Sequence, residues 1–112
     1  MNCSYEEIGH LSVTFPESGC TSGKVCKLND SGMAVPCSDG DMFCGVVETV
    51  AGGYAGVQIH GFVEVAYTST APEIGYANLV ADGNGGVKVS STGDRYLVVA
   101  VDTVNSKVTM EM

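Results

Sequence analysis

The sequence has little of what marks a membrane protein or a nucleic-acid-binding protein. It contains no tryptophan, and it has only 5 lysine and arginine residues compared with 13 aspartate and glutamate residues. The longest apolar run, Leu97 to Val101, is far short of the roughly 18 residues that a membrane-spanning helix needs. A net charge of −8 would repel the phosphates of a nucleic acid. We therefore expect no membrane and no nucleic acid among the partners.

Glycine, valine and threonine are abundant. The 112 residues include 15 glycines, and only 16% of them are charged, a composition that suits closely spaced strands and tight turns. A chain of this length can bury one core. We predict a single all-β domain over residues 1–112, a small barrel or sandwich. The start of the chain, with Glu6 and Glu7, lacks the pattern of a secretory signal, so we expect synthesis and retention in a cytoplasm.

All the cysteines lie near the start of the chain. They are Cys3, Cys20, Cys26, Cys37 and Cys44. An odd number cannot pair completely, and a cytoplasm keeps thiols reduced. Zinc sites use close spacings such as Cys-x-x-Cys, whereas the shortest intervals here contain five and six residues. We predict no metal and no cofactor, and we interpret Cys44 as a small buried hydrophobe.

The chain contains an internal duplication. The stretch SDGDMFCGVV, residues 38–47, returns as STGDRYLVVA, residues 91–100. Weaker similarity on both sides extends the first copy to residues 22–65 and the second to residues 74–112, with a polar linker at 66–73. A copy of about 40 residues cannot cover its own apolar face. We therefore predict two similar halves, each containing β-hairpins, that cover each other.

Within the first copy, apolar residues alternate with polar ones. Val57, Ile59, Gly61, Val63 and Val65 occupy every second position, the period of a strand with one buried face. We predict one continuous strand through Gly61.

The repeated pairs Gly40-Asp41 and Gly93-Asp94 raise the question of paired catalytic acids. Acid and base catalysis needs carboxyl groups in unlike environments, and equivalent turns of a duplicated fold do not offer them. We interpret all four residues as structural, with each glycine supplying a positive φ and each aspartate bonding to nearby amides.

Other polar motifs are weak. Residues Asp82 to Gly86 resemble a calcium loop only in composition and read as a turn. His10 and His60 stand without a cysteine or carboxylate motif nearby, and no nucleophile elbow or phosphate loop occurs. We predict that the protein is not an enzyme and has no catalytic residues.

The first 21 residues lie outside the duplication but carry the apolar residues Ile8, Leu11, Val13 and Phe15. This segment has two interpretations. It forms an extra strand on its own domain, or it is an arm that pairs with another molecule by strand addition.

Several of these stretches resemble the phage capsid cement family, small β-rich proteins of tailed phages. The resemblance covers residues 22–112 and rests mainly on GDMFCGVVETVAGGYAGVQIHGFVEV, which begins at Gly40, and IGYANLVADGNGGVKV, which begins at Ile74. Family members often have an acidic residue where this chain has Tyr76. That departure concerns a local contact and not the predicted fold.

The resemblance implies a noncatalytic head decoration protein, made in the bacterial host cytoplasm and located on the capsid surface of the virion. Its partner would be the phage major capsid protein, and related proteins commonly act as homotrimers with an N-terminal arm against the shell. Ile8, Leu11, Val13 and Phe15 would then contact the capsid. The alternative is a small bacterial or prophage β-barrel module that binds a metal or a carbohydrate. A carbohydrate-binding module would need exposed tryptophan or clustered tyrosine.

Overall fold

A computed structural model describes residues 11–112, and all regular structure within them is β-strand. The prediction of an all-β protein is confirmed. The strands are β1 (Leu11–Pro16), β2 (Val25–Leu28), β3 (Ala34–Pro36), β4 (Gly45–Ala51), β5 (Tyr54–His60), β6 (Phe62–Ala66), β7 (Gly75–Ala81), β8 (Val87–Val89), β9 (Asp94–Asp102) and β10 (Lys107–Glu111).

The strands form two five-stranded antiparallel sheets. The first sheet has the order β1-β5-β4-β2-β3, and the second has the order β6-β10-β9-β7-β8. The two orders are the same when each strand of the first sheet is matched with the strand five places later along the chain, so that β1 corresponds to β6 and β5 to β10. Sequence similarity between the two halves therefore has a counterpart in strand order.

The continuous strand predicted through Gly61 is wrong. Gly61 has a φ of +105°, a conformation that glycine adopts readily and that interrupts an extended strand. On one side β5 ends in the first sheet, and on the other β6 begins in the second sheet, paired with β10. By sheet membership, residues 62–66 therefore go with the second half, and β1 is the counterpart of β6.

Each sheet curls so that the end of its first strand reaches its last strand. Glu17, directly after β1, forms an isolated parallel bridge with Ala34 of β3, and Tyr67, directly after β6, does the same with Val87 of β8. The N–H of Ser18 donates to the carbonyl of Ala34 at 3.0 Å. The contact in each sheet is a single bridge and not a ladder, so neither sheet is a closed barrel.

Buried apolar side chains form two clusters. The larger one, here called the shared core, combines residues of both halves: Val25, Cys37, Phe43, Val46, Val63, Val65, Tyr67, Leu79, Ala81, Val87, Val98, Val108 and Met110. The smaller one, the first-sheet core, contains Cys26, Ala34, Val47, Ala55 and Val57. Because burial of apolar area is the main stabilising term, the shared core is what holds the two sheets together.

Backbone and aromatic contacts also join the halves. Phe43 and Tyr96, which occupy equivalent positions of the duplicated stretch, stack with ring centroids 5.1 Å apart. Ala81 of β7 exchanges two hydrogen bonds with residues 40 and 41, each 2.9 Å long. In the other direction, the N–H of Val25 donates to the carbonyl of Gly85 at 3.0 Å. Each half thus supplies a turn that pairs with a strand of the other.

Candidate functional site

The predicted capsid-contact residues lie on β1, the terminal strand of the first sheet. β1 pairs with β5 of its own chain, with Val13 opposite Val57 and Phe15 opposite Ala55. For residues 11–16, the structure therefore has the extra-strand arrangement. Ile8, the remaining predicted contact residue, lies outside the described residues.

The three described contact residues differ in exposure. Phe15 is partly buried and packs on the first-sheet core, and Val13 is also partly buried. Leu11 is 47% exposed and sits beside a register shift in the β1–β5 pairing. An outer strand with an exposed leucine at one end has the form needed for strand addition by a partner.

The turn at Gly40-Asp41 has the geometry expected from the sequence. Gly40 has a φ of +88°, and the carboxylate of Asp41 accepts a hydrogen bond from the N–H of Ser38 at 2.8 Å. The same carboxylate forms an ion pair with Lys27 at 2.6 Å. The Lys27 ammonium and the Ser38 amide hold the pKa of Asp41 below its ordinary value.

Gly93-Asp94 is different, although its sequence is similar. The positive φ expected at Gly93 is not found. Glycine is required there because an added Cβ would lie 2.3 Å from the carbonyl oxygen of Leu79. Within residues 11–112, the carboxylate of Asp94 forms no hydrogen bond or ion pair, and Asp94 starts β9 opposite Leu79.

The glycine-rich segment from Asp82 to Gly86 is a turn. The Oδ1 atom of Asp82 accepts from the N–H groups of Asn84 at 2.7 Å and Gly86 at 3.1 Å. Its carboxylate is thus used by the backbone of its own turn. No group of three or more histidine, cysteine, aspartate or glutamate side chains suited to a metal occurs in the described part of the chain.

A hollow beside Tyr76 is one feature that the sequence analysis did not predict. It has a volume of about 300 Å³ and is lined by Thr70, Ala71, Glu73, Tyr76, Ala77, Asn78 and Val89. Tyr76 is 67% exposed, and the neighbouring Ile74 is 65% exposed. The guanidinium carbon of Arg95 lies 4.6 Å from the centroid of the Tyr76 ring, a cation–π contact. The signal in the sequence was Tyr76 itself, which departs from the acidic residue of cement proteins.

A second hollow, of about 290 Å³, lies between the halves. Its lining combines the loop before β2, the start of β2 and the end of β3 with the glycine-rich turn after β7: Gly19, Cys20, Thr21, Lys24, Val25, Pro36, Cys37, Gly83, Asn84 and Gly85. Its reactive groups are the partly buried thiol of Cys20, the buried thiol of Cys37 and the amine of Lys24. No motif in the sequence indicates that these residues, which lie far apart in the chain, are neighbours in the fold.

Comparison of the chain with protein-family models, curated proteins and solved structures found no match. Residues 11–112 contain no helix long and apolar enough to cross a membrane. The resemblance to capsid cement proteins therefore rests on the sequence motifs alone, and function follows as a proposal.

Proposed function

We propose that this protein is a noncatalytic decoration protein that binds the mature head of a tailed phage and stabilises the coat lattice. In this proposal it is a small sandwich of two similar halves, with β1 and the residues before it acting as the capsid-binding arm. It is made in the bacterial cytoplasm and ends on the virion surface as a homotrimer bound to the major capsid protein.

The observation that carries the proposal is the position of β1. This strand ends the first sheet, and Leu11 exposes about half of its surface. A strand of the coat protein could pair with such an edge through main-chain hydrogen bonds, while Leu11 enters an apolar pocket. The resemblance in sequence supplies the identity of the partner.

Mass action explains how a small clip stabilises a capsid. A protein that binds only the assembled, expanded lattice lowers the free energy of that lattice and leaves the unassembled coat unaffected. A trimer multiplies the effect, because three modest contacts that bind together give far greater avidity than one.

The test is co-sedimentation with expanded heads of the phage that encodes the protein. Wild-type protein should saturate the heads and raise the temperature at which they release DNA. Leu11→Asp should weaken binding by about tenfold or more, because it places a charge in an apolar contact.

Val104→Asp is the matched control. Val104 lies in the β9–β10 turn and is 89% exposed, so the same change there should leave binding intact. Heads that take up no wild-type protein would contradict the proposal, as would equal binding by wild type and Leu11→Asp.

The hollow at Tyr76 favours a second candidate, carbohydrate binding. An exposed tyrosine beside Asn78, Thr70 and Glu73 combines a ring for stacking with polar groups for sugar hydroxyls. Titration of the labelled protein with bacterial surface oligosaccharides, followed by NMR, tests it. Shifts confined to the hollow and lost in Tyr76→Ala would support this function, whereas unshifted spectra would contradict it.

A further inference from the structure

Two cysteines from different strands of the first sheet meet in the fold. Cys26 lies in β2 with its Cα opposite Gly45, and its carbonyl oxygen accepts the N–H of Cys44 at 2.8 Å. Two consecutive residues, Cys44 and Gly45, thus stand opposite one residue of β2, the arrangement of a β-bulge. The side chain of Cys26 belongs to the first-sheet core, and that of Cys44 packs against it.

Gly45, the first residue of β4, lets β4 approach β5 closely beside the two cysteines. An added Cβ there would lie 2.4 Å from the carbonyl oxygen of Gln58 and 2.7 Å from a methyl group of Val57. The close packing of Gly45 against β5 therefore holds the bulge in place, and Cys44 stays beside Cys26. Neighbouring-strand positions of this kind fall within the short Cα separations that a disulfide requires.

The two thiols differ in environment. Cys26 is fully buried, whereas Cys44 is only partly buried, so the interpretation of Cys44 as a small buried hydrophobe is wrong. The hydrogen bond between the thiols lowers the pKa of Cys44 to about 7. The same hydrogen bond, together with burial, raises the pKa of Cys26 well above its ordinary value. Cys44 is thus the accessible thiolate and Cys26 the protonated partner behind it.

Nearby thiols are less reactive. Cys20 packs against the same cluster, but burial and then Glu17 raise its pKa. Cys37 belongs to the shared core, and burial raises its pKa to about 11. Because the thiolate is the reacting form, the described cysteines offer one favoured nucleophile.

We propose that Cys26 and Cys44 form a redox-active pair that closes to a disulfide when the protein meets a peroxide. The Cys44 thiolate attacks one peroxide oxygen, the O–O bond breaks, and Cys44 becomes a sulfenic acid while hydroxide leaves. The sulfur of Cys26 then attacks the sulfur of Cys44, and the displaced hydroxyl leaves as water with the Cys26 proton. Overall, two thiols are oxidised by two electrons and one hydrogen peroxide is reduced to two water molecules.

The disulfide would fasten β2 to the start of β4 within the first sheet. A chain made in a reducing cytoplasm holds the pair open, and an oxidising exterior closes it. This chemistry does not depend on the proposed function, since it needs only the two thiols and the oxidant.

The test treats the reduced full-length protein with hydrogen peroxide, blocks the remaining thiols with an alkylating reagent and maps the peptides by mass spectrometry. The number of free thiols should fall from the full set of 5 by two. Cleavage at Lys24 and Lys27, and at Asp39 or Asp41, isolates Cys26 and separates Cys44 from Cys37. The expected product is the peptide pair joined through Cys26 and Cys44, and a thiol reductant should reverse it.

Cys44→Ser and Cys26→Ser should abolish this product, whereas Cys20→Ser and Cys37→Ser are matched controls that should keep it. If a Cys26 variant fails to fold, the wild-type peptide map decides alone. A dominant disulfide from Cys20, a disulfide between molecules, or Cys44 over-oxidised to sulfinic acid beside a free Cys26 would each overturn the proposal.

Discussion

The two sheets share one strand order but are filled by different side chains. The first-sheet core contains small residues, among them Cys26, Ala34 and Ala55. The second sheet contributes larger ones, including Leu79 and Met110, to the shared core. A duplicated topology therefore does not require duplicated packing. The second sheet contributes Leu79 and Met110 to the shared core, and the first sheet contains Cys26 and the β1 edge.

The strongest test of this difference is Leu79→Ala. Leu79 is fully buried in the shared core, so the substitution should lower the free energy of unfolding by about 2–5 kcal/mol. Urea unfolding followed by circular dichroism measures it. Val104→Ala, at a site 89% exposed, is the control and should change stability by less than about 0.5 kcal/mol. A similar small effect for both would show that Leu79 is not in a packed core.

Glycine substitutions compare the close contacts of the two sheets. In Gly45→Ala and Gly93→Ala, the new methyl group meets backbone carbonyl oxygens at 2.4 Å and 2.3 Å. Both should cost about 1–3 kcal/mol, the usual range for overpacking. Gly56→Ala is the control, because its Cβ meets only the Thr49 hydroxyl, a side-chain atom that can rotate away. Equal effects at all three sites would contradict the claim that backbone contacts require glycine.

The sequence was enough to predict strands but not their partners. The alternation of apolar and polar residues correctly predicted strands at Val57 and Val63. The same alternation continues through Gly61, however, and it does not show whether the chain changes sheet there. Only the φ of Gly61 and long-range pairing reveal the break. The same limit hid the contact of Cys26 with Cys44, because a bulge in the pairing leaves no local pattern.

Similar motifs also took different roles for reasons that lie outside the motif. Gly40 and Gly93 occupy matching positions in the sequence, but residues 40–41 pair with Ala81 of the other half, whereas Gly93 packs against Leu79. The hollow at Tyr76 brings the 70–73 segment against β7 and β8. Such contacts depend on tertiary packing, which a periodicity does not encode.

A double-mutant cycle on Phe43 and Tyr96 measures how strongly the halves are coupled. The stacked rings should show an interaction energy of about 0.5–1.5 kcal/mol between Phe43→Leu and Tyr96→Leu. Burial raises the pKa of Tyr96 to about 12. Ultraviolet titration of the Tyr96 hydroxyl is therefore a second measurement of how closely this ring is packed. A coupling near zero would show that the two halves do not interact through these rings.

Acid titration compares a carboxyl group from each half. Lys27 lowers the pKa of Asp41 in the first half, and Asn105 lowers the pKa of Asp102 in the β9–β10 turn. A carboxyl group with a lowered pKa stabilises the fold at pH values above 3.8, its pKa in the unfolded chain. This contribution is lost as the pH falls through the pKa of the folded protein. Asp41→Asn and Asp102→Asn should therefore lower the urea midpoint at pH 7 but matter little near pH 2.

Both effects should be small, since Asp102 is exposed and Asp41 is only partly buried, so that solvent screens both carboxylates. Lys27→Met tests the cause at Asp41 and should leave the contribution of Asp102 unchanged. A loss of stability that is constant from pH 7 to the acid limit would contradict an electrostatic origin.

Hydrogen exchange on the free and head-bound protein tests the central claim most directly, because it follows β1 and its counterpart β6 in one experiment. If β1 is the capsid-binding edge, the amides of residues 11–15 should exchange much more slowly on the head, while those of Phe62–Ala66 should keep their free rates. Protection confined to the Tyr76 hollow or to β6, with β1 unchanged, would contradict the account.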